Sequence, residues 1–300
     1  MKDYEVQYLA LPNGERMAYR ECGDHAKPTL VLVHGNQSSS VFFQNTMAAL
    51  ENEAHILAPD LIGFGDSSYN RQINTLRDYS QDIALLLSMK NVRDACVLGW
   101  STGGGIVLEL AADHPELVKR IILLDSVGLQ GYPLYKLDDQ LKPILSQRIY
   151  KREDVEKEPV QVVPIQKALA AKDKAFIKQG FDAGLYNLHQ PPEEEYEAYL
   201  DAIVKERCII DVDTALACFN ITHESNGATP GDGRIDKISC PVTILHGAKD
   251  LVVPVEEAHK AQKWLSDKAD LVVLADAGHA LLTDRPEMFY AVLRGCCRES

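Results

Sequence analysis

Short apolar runs, each closed by a turn and followed by a helical pattern, set the rhythm of the first part of the chain: Thr29 to Val33, His55 to Ala58, Ala95 to Leu98 and Arg120 to Leu124. Unalternated stretches rich in Val, Ile and Leu are how strands buried on both faces read. The lengths between them suit crossover helices, so they predict a mostly parallel sheet with helices on both faces, an α/β fold. Ahead of them, Tyr4 to Leu11 and Glu15 to Glu21 flank Pro12-Asn13-Gly14. Asn-Gly readily takes the positive φ angles of a tight turn, and an N-terminal antiparallel hairpin is expected to open the sheet. From about Gly128 to Arg234 the pattern becomes helical segments broken at Pro133, Pro143, Pro159, Pro164 and Pro191-Pro192, with no buried strand recognisable. The strand rhythm resumes at Pro241 to Leu245 and at Asp270 to Leu274. A helical insertion, residues 129–234, therefore interrupts one core made of residues 1–128 and 235–300.

Composition narrows the function classes. With 300 residues, 46% of them hydrophobic and 25% charged, the chain can bury such a core plus a substantial insertion. Its 44 acidic residues against 31 basic ones give a formal net charge of −13, and a surface of that sign repels nucleic-acid phosphates and anionic headgroups. Nucleic acid is not an expected partner. The acidic clusters at Glu153 to Glu158 and Glu193 to Glu197 read as solvated helix faces. The start, Met1-Lys2-Asp3-Tyr4-Glu5-Val6, has no apolar signal region, and no apolar run is long enough for a membrane span. Seven cysteines, scattered and without CxxC spacing, fit a reducing compartment, so the expected location is cytoplasmic.

The most specific chemical signal is Gly99-Trp100-Ser101-Thr102-Gly103, directly after the strand Ala95 to Leu98 and directly before the helical run Gly104 to Asp113. This is a G-x-S-x-G nucleophile elbow in its strand-turn-helix setting, with glycines where neighbours leave no room for a Cβ. The turn lifts the Ser101 hydroxyl to the positive end of a helix, where developing negative charge is stabilised. A serine hydroxyl needs a base, and the base needs an acid to hold its tautomer. His279, in Asp276-Ala277-Gly278-His279 after the last expected strand, is the candidate base; His34 and His246 read as loop-shaping residues. Two aspartates could be the acid. Asp250 lies in Gly247-Ala248-Lys249-Asp250-Leu251-Val252-Val253-Pro254, and this pattern favours it; Asp125, at the end of an earlier strand, is the alternative, its other role being to fix a loop. The tetrahedral intermediate needs two N–H donors, assigned to the amides of Thr102 and of Asn36 in His34-Gly35-Asn36-Gln37-Ser38. Ser38-Ser39-Ser40 read as a helix cap.

With these motifs in this order the chain resembles the α/β-hydrolase superfamily, of the capped serine esterase type, over nearly its whole length. Residues 129–234 then correspond to the family's cap, and Asp60-Leu61-Ile62-Gly63-Phe64-Gly65-Asp66-Ser67 resembles the loop that supports the oxyanion side. His34-Gly35-Asn36 is similar to haloalkane dehalogenases, but those and the epoxide hydrolases attack with a carboxylate, and here the position holds Ser101. Proline iminopeptidases carry Trp after the nucleophile, whereas Trp100 precedes it. Ser101-Thr102-Gly103-Gly104-Gly105 is similar to cofactor-free perhydrolases and aryl esterases, and the Gly-Trp-Ser-x-Gly form to intracellular depolymerases of short-chain polyhydroxyalkanoates. The resemblance implies a carboxylesterase-like serine hydrolase that forms an acyl-enzyme with a small or medium ester, a small-molecule substrate. Perhydrolase, polyester depolymerase, C–C bond hydrolase and slow-turnover receptor are the alternatives. No metal, nucleotide or flavin motif is present, and neither metal nor cofactor is expected. Cap aromatics, among them Tyr132, Tyr135, Phe176, Phe181, Tyr186 and Phe219, are candidates to line the pocket.

Overall fold

In the computed structural model, which describes residues 1–298, the expected hairpin opens the chain: β1 (Gln7–Ala10) and β2 (Arg16–Cys22) pair antiparallel, and Gly14 at φ 88° makes the turn. There follow β3 (Thr29–Val33), α1 (Gln44–Leu50), β4 (His55–Pro59), α2 (Leu76–Met89), β5 (Ala95–Trp100), α3 (Thr102–Asp113) and β6 (Val118–Leu124). A long excursion holds β7 (Leu134–Leu137), β8 (Pro143–Ile149), α4 (Arg152–Val155), α5 (Val162–Ala171), α6 (Lys174–Ala183), α7 (Glu193–Ile203) and α8 (Ile209–Cys218). The chain then returns through β9 (Val242–Gly247), α9 (Val255–Leu265), β10 (Ala269–Leu274), α10 (Leu281–Asp284) and α11 (Pro286–Arg298).

Eight strands form one sheet in the order β1-β2-β4-β3-β5-β6-β9-β10. It is antiparallel at β1, β2 and β4 and parallel from β4 through β10. The strands β4 and β5 are buried at every residue, which is why their sequences are apolar without alternation. Each such Leu, Ile or Val contributes about 1.5–3 kcal/mol by leaving water. Pairing of Val33 with Gly99, of Trp100 with Leu124 and of Leu124 with Leu245 brings the carboxyl ends of β3, β5, β6 and β9 to one edge. Strand order reverses between β3, which leads to β4 on one side, and β5 on the other. In open α/β sheets such a reversal leaves a crevice at that edge, where ligands bind.

The excursion corrects one expectation: it is not purely helical, since β7 and β8 form a two-stranded antiparallel sheet separate from the main one. Most of β8 is exposed, Leu145 to 74%, so Pro143 to Ile149 shows neither an apolar run nor clean alternation to announce a strand. Its helices start on local signals. The buried Glu158 carboxylate accepts from the amides of Val160, Gln161 and Val162 at the head of α5, satisfying donors that a helix start leaves unpaired. Among the described residues no helix is long and apolar enough to cross a membrane.

Candidate active site

Between β5 and α3 the chain turns on a single residue, Ser101, at φ 54° and ψ −120°. A side chain there costs on the order of 1–3 kcal/mol in backbone strain, which persists only when the surroundings over-determine it. They do: the Ser101 amide donates to Leu124 O at 3.0 Å, and its carbonyl accepts from Gly104 at 2.9 Å and Val127 at 3.1 Å. A Cβ on Gly99 would lie 2.2 Å from Gly103 O, and one on Gly103 would lie 2.4 Å from Val33 O. The elbow therefore requires both glycines, and it sets Ser101 at the N-terminus of the 12-residue α3.

His279 stands in the turn between β10 and α10, and that turn is tied down from several sides. The Trp100 indole N–H donates to His279 O at 3.0 Å, and the Gly278 amide donates to Asp284 Oδ2 at 2.7 Å. His279 Nδ1 meets Asp250 Oδ2 at 2.7 Å, with both side chains buried. With Nδ1–H donating to the carboxylate, Nε2 carries the ring's lone pair, and both His279 and Ser101 line one cavity. Asp250 Oδ1 accepts from the amides of Val252 at 2.7 Å and Val253 at 2.8 Å, and His246 Nε2 stands 3.3 Å from Oδ2. Burial works to raise the Asp250 carboxyl, but the facing His279 and the hydrogen bonds from His246, His279 and Val253 outweigh it. They hold Asp250 well below the usual carboxylate range.

Asp125 is placed differently. At φ 42° and fully buried, it accepts from the Gly247 amide at 2.8 Å and from Leu281 at a longer 3.4 Å, joining the end of β6 to β9 and α10. Burial pushes its carboxyl up to about 7 against the pull of His246 and His279. Asp125, His246 and Asp250 offer ligand atoms within 4.8 Å of one another, a spacing that could hold an ion. Both Asp250 oxygens already accept from protein donors, and His246 Nε2 also meets Val253 O at 2.9 Å.

The loop after β3 faces the elbow. Burial holds the His34 imidazole below its usual range, and the ring bonds Gly35 O through Nδ1 at 2.8 Å and accepts the Leu61 amide on Nε2 at 2.9 Å. It is a loop-shaping residue, as its sequence context suggests. A Cβ on Gly35 would lie 2.8 Å from Ser101 Cβ, so only glycine lets this backbone come so near. Next to it, Asn36 Oδ1 accepts from the Gln37 amide at 2.9 Å and Nδ2 donates to Asp213 Oδ1 at 3.0 Å. Asp60 braces the neighbouring turn, accepting on Oδ1 from the Ser40 amide at 2.8 Å and hydroxyl at 2.6 Å, and on Oδ2 from Asp66 at 2.9 Å. Ser39 Oγ caps the following turn from Val41 N at 3.2 Å.

Ser101, Thr102, Asn36 and His279 wall one side of a cavity of about 340 Å³. Tyr132, Ile165, Ile177, Phe181, Asp213 and Leu216, all from the excursion, line the same cavity, with Asp213 bonded directly to Asn36. Of the aromatics expected there, Tyr132 and Phe181 reach the cavity, whereas Tyr186 is packed elsewhere, edge-on to Tyr196, and Phe176 is 41% exposed. Asp213 was not anticipated: its partner Asn36 is 177 residues away, and no local pattern links them. A larger groove of about 940 Å³, bordered by Arg16, Arg152 and Lys205, lies apart from all these candidate residues. The model of the alpha/beta hydrolase family matches residues 30–292.

The chain belongs to the alpha/beta hydrolase family. An uncharacterised hydrolase from Bacillus subtilis is 26% identical over 281 residues, 92% of each chain. Lipase 1 of Psychrobacter immobilis is 26% identical over 293 residues, 94% of this chain and 80% of that one. Among solved structures, an esterase from Exiguobacterium antarcticum superposes with a TM-score of 0.74 at 17% identity, over 98% of this chain and 100% of its own. That likeness extends the fold over 98% of the chain.

Proposed function

We propose that this alpha/beta hydrolase is a serine esterase that cleaves small to medium carboxylic esters through an acyl-enzyme. Ser101 is the nucleophile, His279 the base, Asp250 the acid, and the amides of Asn36 and Thr102 the oxyanion donors. The observation that carries this reading is the 2.7 Å contact between His279 Nδ1 and Asp250 Oδ2, with His279 and the strained Ser101 turn on the same cavity. The esterase and lipase relatives support it. Residues 129–234 act as a cap over the core, and a cavity of about 340 Å³ suits a compact ester.

In this reading each group has one task. Ser101 Oγ attacks the ester carbonyl while His279 Nε2 takes its proton; the imidazolium that forms is stabilised by Asp250 through Nδ1–H. Charge builds on the carbonyl oxygen between the Thr102 amide, at the head of α3, and the Asn36 amide. His279 then gives the proton to the departing alkoxide, leaving the acyl group on Ser101. Water, deprotonated by the same imidazole, releases the carboxylic acid and returns the proton to Ser101.

A fluorophosphonate probe tests the assignment, because only an activated hydroxyl reacts quickly with it. Wild-type protein is expected to be labelled and to turn over p-nitrophenyl butyrate. Ser101→Ala is expected to lose labelling and to lower turnover by roughly 10⁴-fold or more. Undiminished turnover in Ser101→Ala would overturn the proposal. A single slow turnover in place of sustained hydrolysis would mark a receptor.

A further inference from the structure

The cap side of the cavity carries an acid that the chemistry just described does not use. Asp213, on α8, is partly exposed and lines the cavity together with Ser101 and His279. Among the described residues that line it, none is Lys or Arg, and Asp213 is joined by His279 and by neutral polar groups such as Tyr132, Gln37 and Gln161. Among the described residues Asn36 is the one hydrogen-bond partner of Asp213, through Nδ2 at 3.0 Å to Oδ1. A carboxylate has about four acceptor positions, so the described protein groups leave most of this one's capacity to whatever enters the cavity. Enclosure within the cavity wall, with Glu158 also opposing ionisation, pushes the carboxyl up to about 7 despite the Asn36 bond. Asn36 also carries the amide proposed to hold the oxyanion, so Asp213 lies one side chain away from where the ester carbonyl would bind.

Resting on the esterase reading, we propose that Asp213 determines substrate specificity. It selects esters that carry a hydrogen-bond donor, a hydroxyl or a protonated amine, close to the scissile carbonyl, and it rejects esters that carry a carboxylate there. A donor supplied by the substrate completes the hydrogen bonding of a poorly solvated carboxylate, and a second carboxylate in the same cavity meets repulsion with no cation to offset it. Asp213 also anchors Asn36, so a purely structural role must be told apart from selection. Asp213→Asn does this, because its Oδ1 can still accept from Asn36 Nδ2 while the charge is gone.

Four methyl esters of one chain length make the test: methyl butanoate, methyl β-hydroxybutanoate, methyl β-aminobutanoate and monomethyl succinate. They are compared by kcat/KM at about pH 8, where Asp213 is ionised. The wild type is expected to favour the hydroxyl and amino esters over butanoate by about ten- to hundredfold, with succinate poorest. Asp213→Asn is expected to collapse the ratio of amino ester to succinate, and reading a ratio cancels any loss common to all four esters. A wild type indifferent to the four, or a variant in which all four fall together, overturns the proposal; the wild-type ranking needs no variant to fold. If the wild type hydrolyses none of the four and escapes the fluorophosphonate, the esterase reading fails by itself. Calorimetric titration of Ser101→Ala with the amino ester and with monomethyl succinate then decides the subsite. Tighter binding of the amine, abolished by adding Asp213→Asn, upholds it; equal binding, or none, overturns it.

Discussion

Ser101 and Asn36 reach the cavity from turns, and Thr102 from the head of α3, and this backbone is held directly to the sheet and to itself, with Ser101 N on Leu124 O and Gly35 against Ser101 Cβ. Tyr132, Phe181 and Asp213 reach it from the excursion, whose elements add no strand to the eight-stranded sheet. One wall is fixed by backbone geometry, where an error of an ångström costs the reaction. The other is fixed by the shapes and charges of side chains, which can change without moving the reacting groups. Sheet-side changes should therefore depress every substrate alike, and cap-side changes should re-rank substrates.

The sharpest way to break this division lies in the two aspartates. Replacing the acid with Asn leaves the imidazole in the wrong tautomer and its cation unstabilised, at a cost of roughly 10³ to 10⁴ in kcat. Asp250→Asn is expected to show that loss for every ester. Asp125→Asn is expected to cost about tenfold or less, seen mainly as a lower Tm, because its carboxyl serves the Gly247 and Leu281 amides and is held near neutrality by burial. Measuring both single variants and the double decides it, since residues acting as one unit are strongly non-additive. A crippling Asp125→Asn beside a mild Asp250→Asn would move the acid to β6.

A smaller effect tests how far the rigidity of the sheet-side wall matters. Trp100 donates its indole N–H to His279 O, so the residue before the proposed nucleophile also steadies the loop of the proposed base. Trp100→Phe keeps the ring contacts with Phe42 and Phe43 but removes that donor. One lost hydrogen bond corresponds to about tenfold. The expected result is a kcat about tenfold lower with KM little changed, equally for all esters. If Tm falls but kcat does not, the indole only fills space.

The sheet-side wall was legible because its constraints are local. A strand, a Gly-x-Ser-x-Gly turn and a helix lie within 19 consecutive residues, Ala95 to Asp113, and the parallel strands betray themselves by apolar runs such as Leu30 to Val33. His279 was legible from its place after the last strand, and Asp250 from the turn Gly247 to Pro254, although only the fold brings them to 2.7 Å. The cap-side wall was not. The strand Pro143–Ile149 buries too little to leave a periodic trace, and most of the named aromatic candidates for the pocket lining are packing or surface residues. Asp213 reads in sequence as one of two acids, with Asp211, on an otherwise apolar helix, Ile209–Cys218; its meaning arises from Asn36, far away along the chain.

The smallest expected effect reads the cap-side carboxyl without any substrate. An unfolded aspartate releases its proton near pH 4, whereas Asp213 in the folded protein holds its own until about 7. Between those values the folded state binds one more proton than the unfolded state, so this group makes stability fall as pH rises, and above about 7 its contribution is level. Asn at the same place has no such slope. The difference in Tm, Asp213→Asn minus wild type, is therefore expected to grow by about a few degrees between roughly pH 4 and pH 7 and then to stay constant. Subtracting the two curves removes titrating groups that do not feel Asp213, such as Asp125 and Glu109, whereas the buried Glu206, which the Asp213 charge helps to raise, stays in the difference. A bound amine should favour the ionised carboxylate and reduce that growth, while monomethyl succinate should not. A difference curve that is flat from pH 4 to 8 would mean that Asp213 is solvated like a surface aspartate. The cap-side wall would then lack the electrostatic character that sets it apart from the sheet-side one.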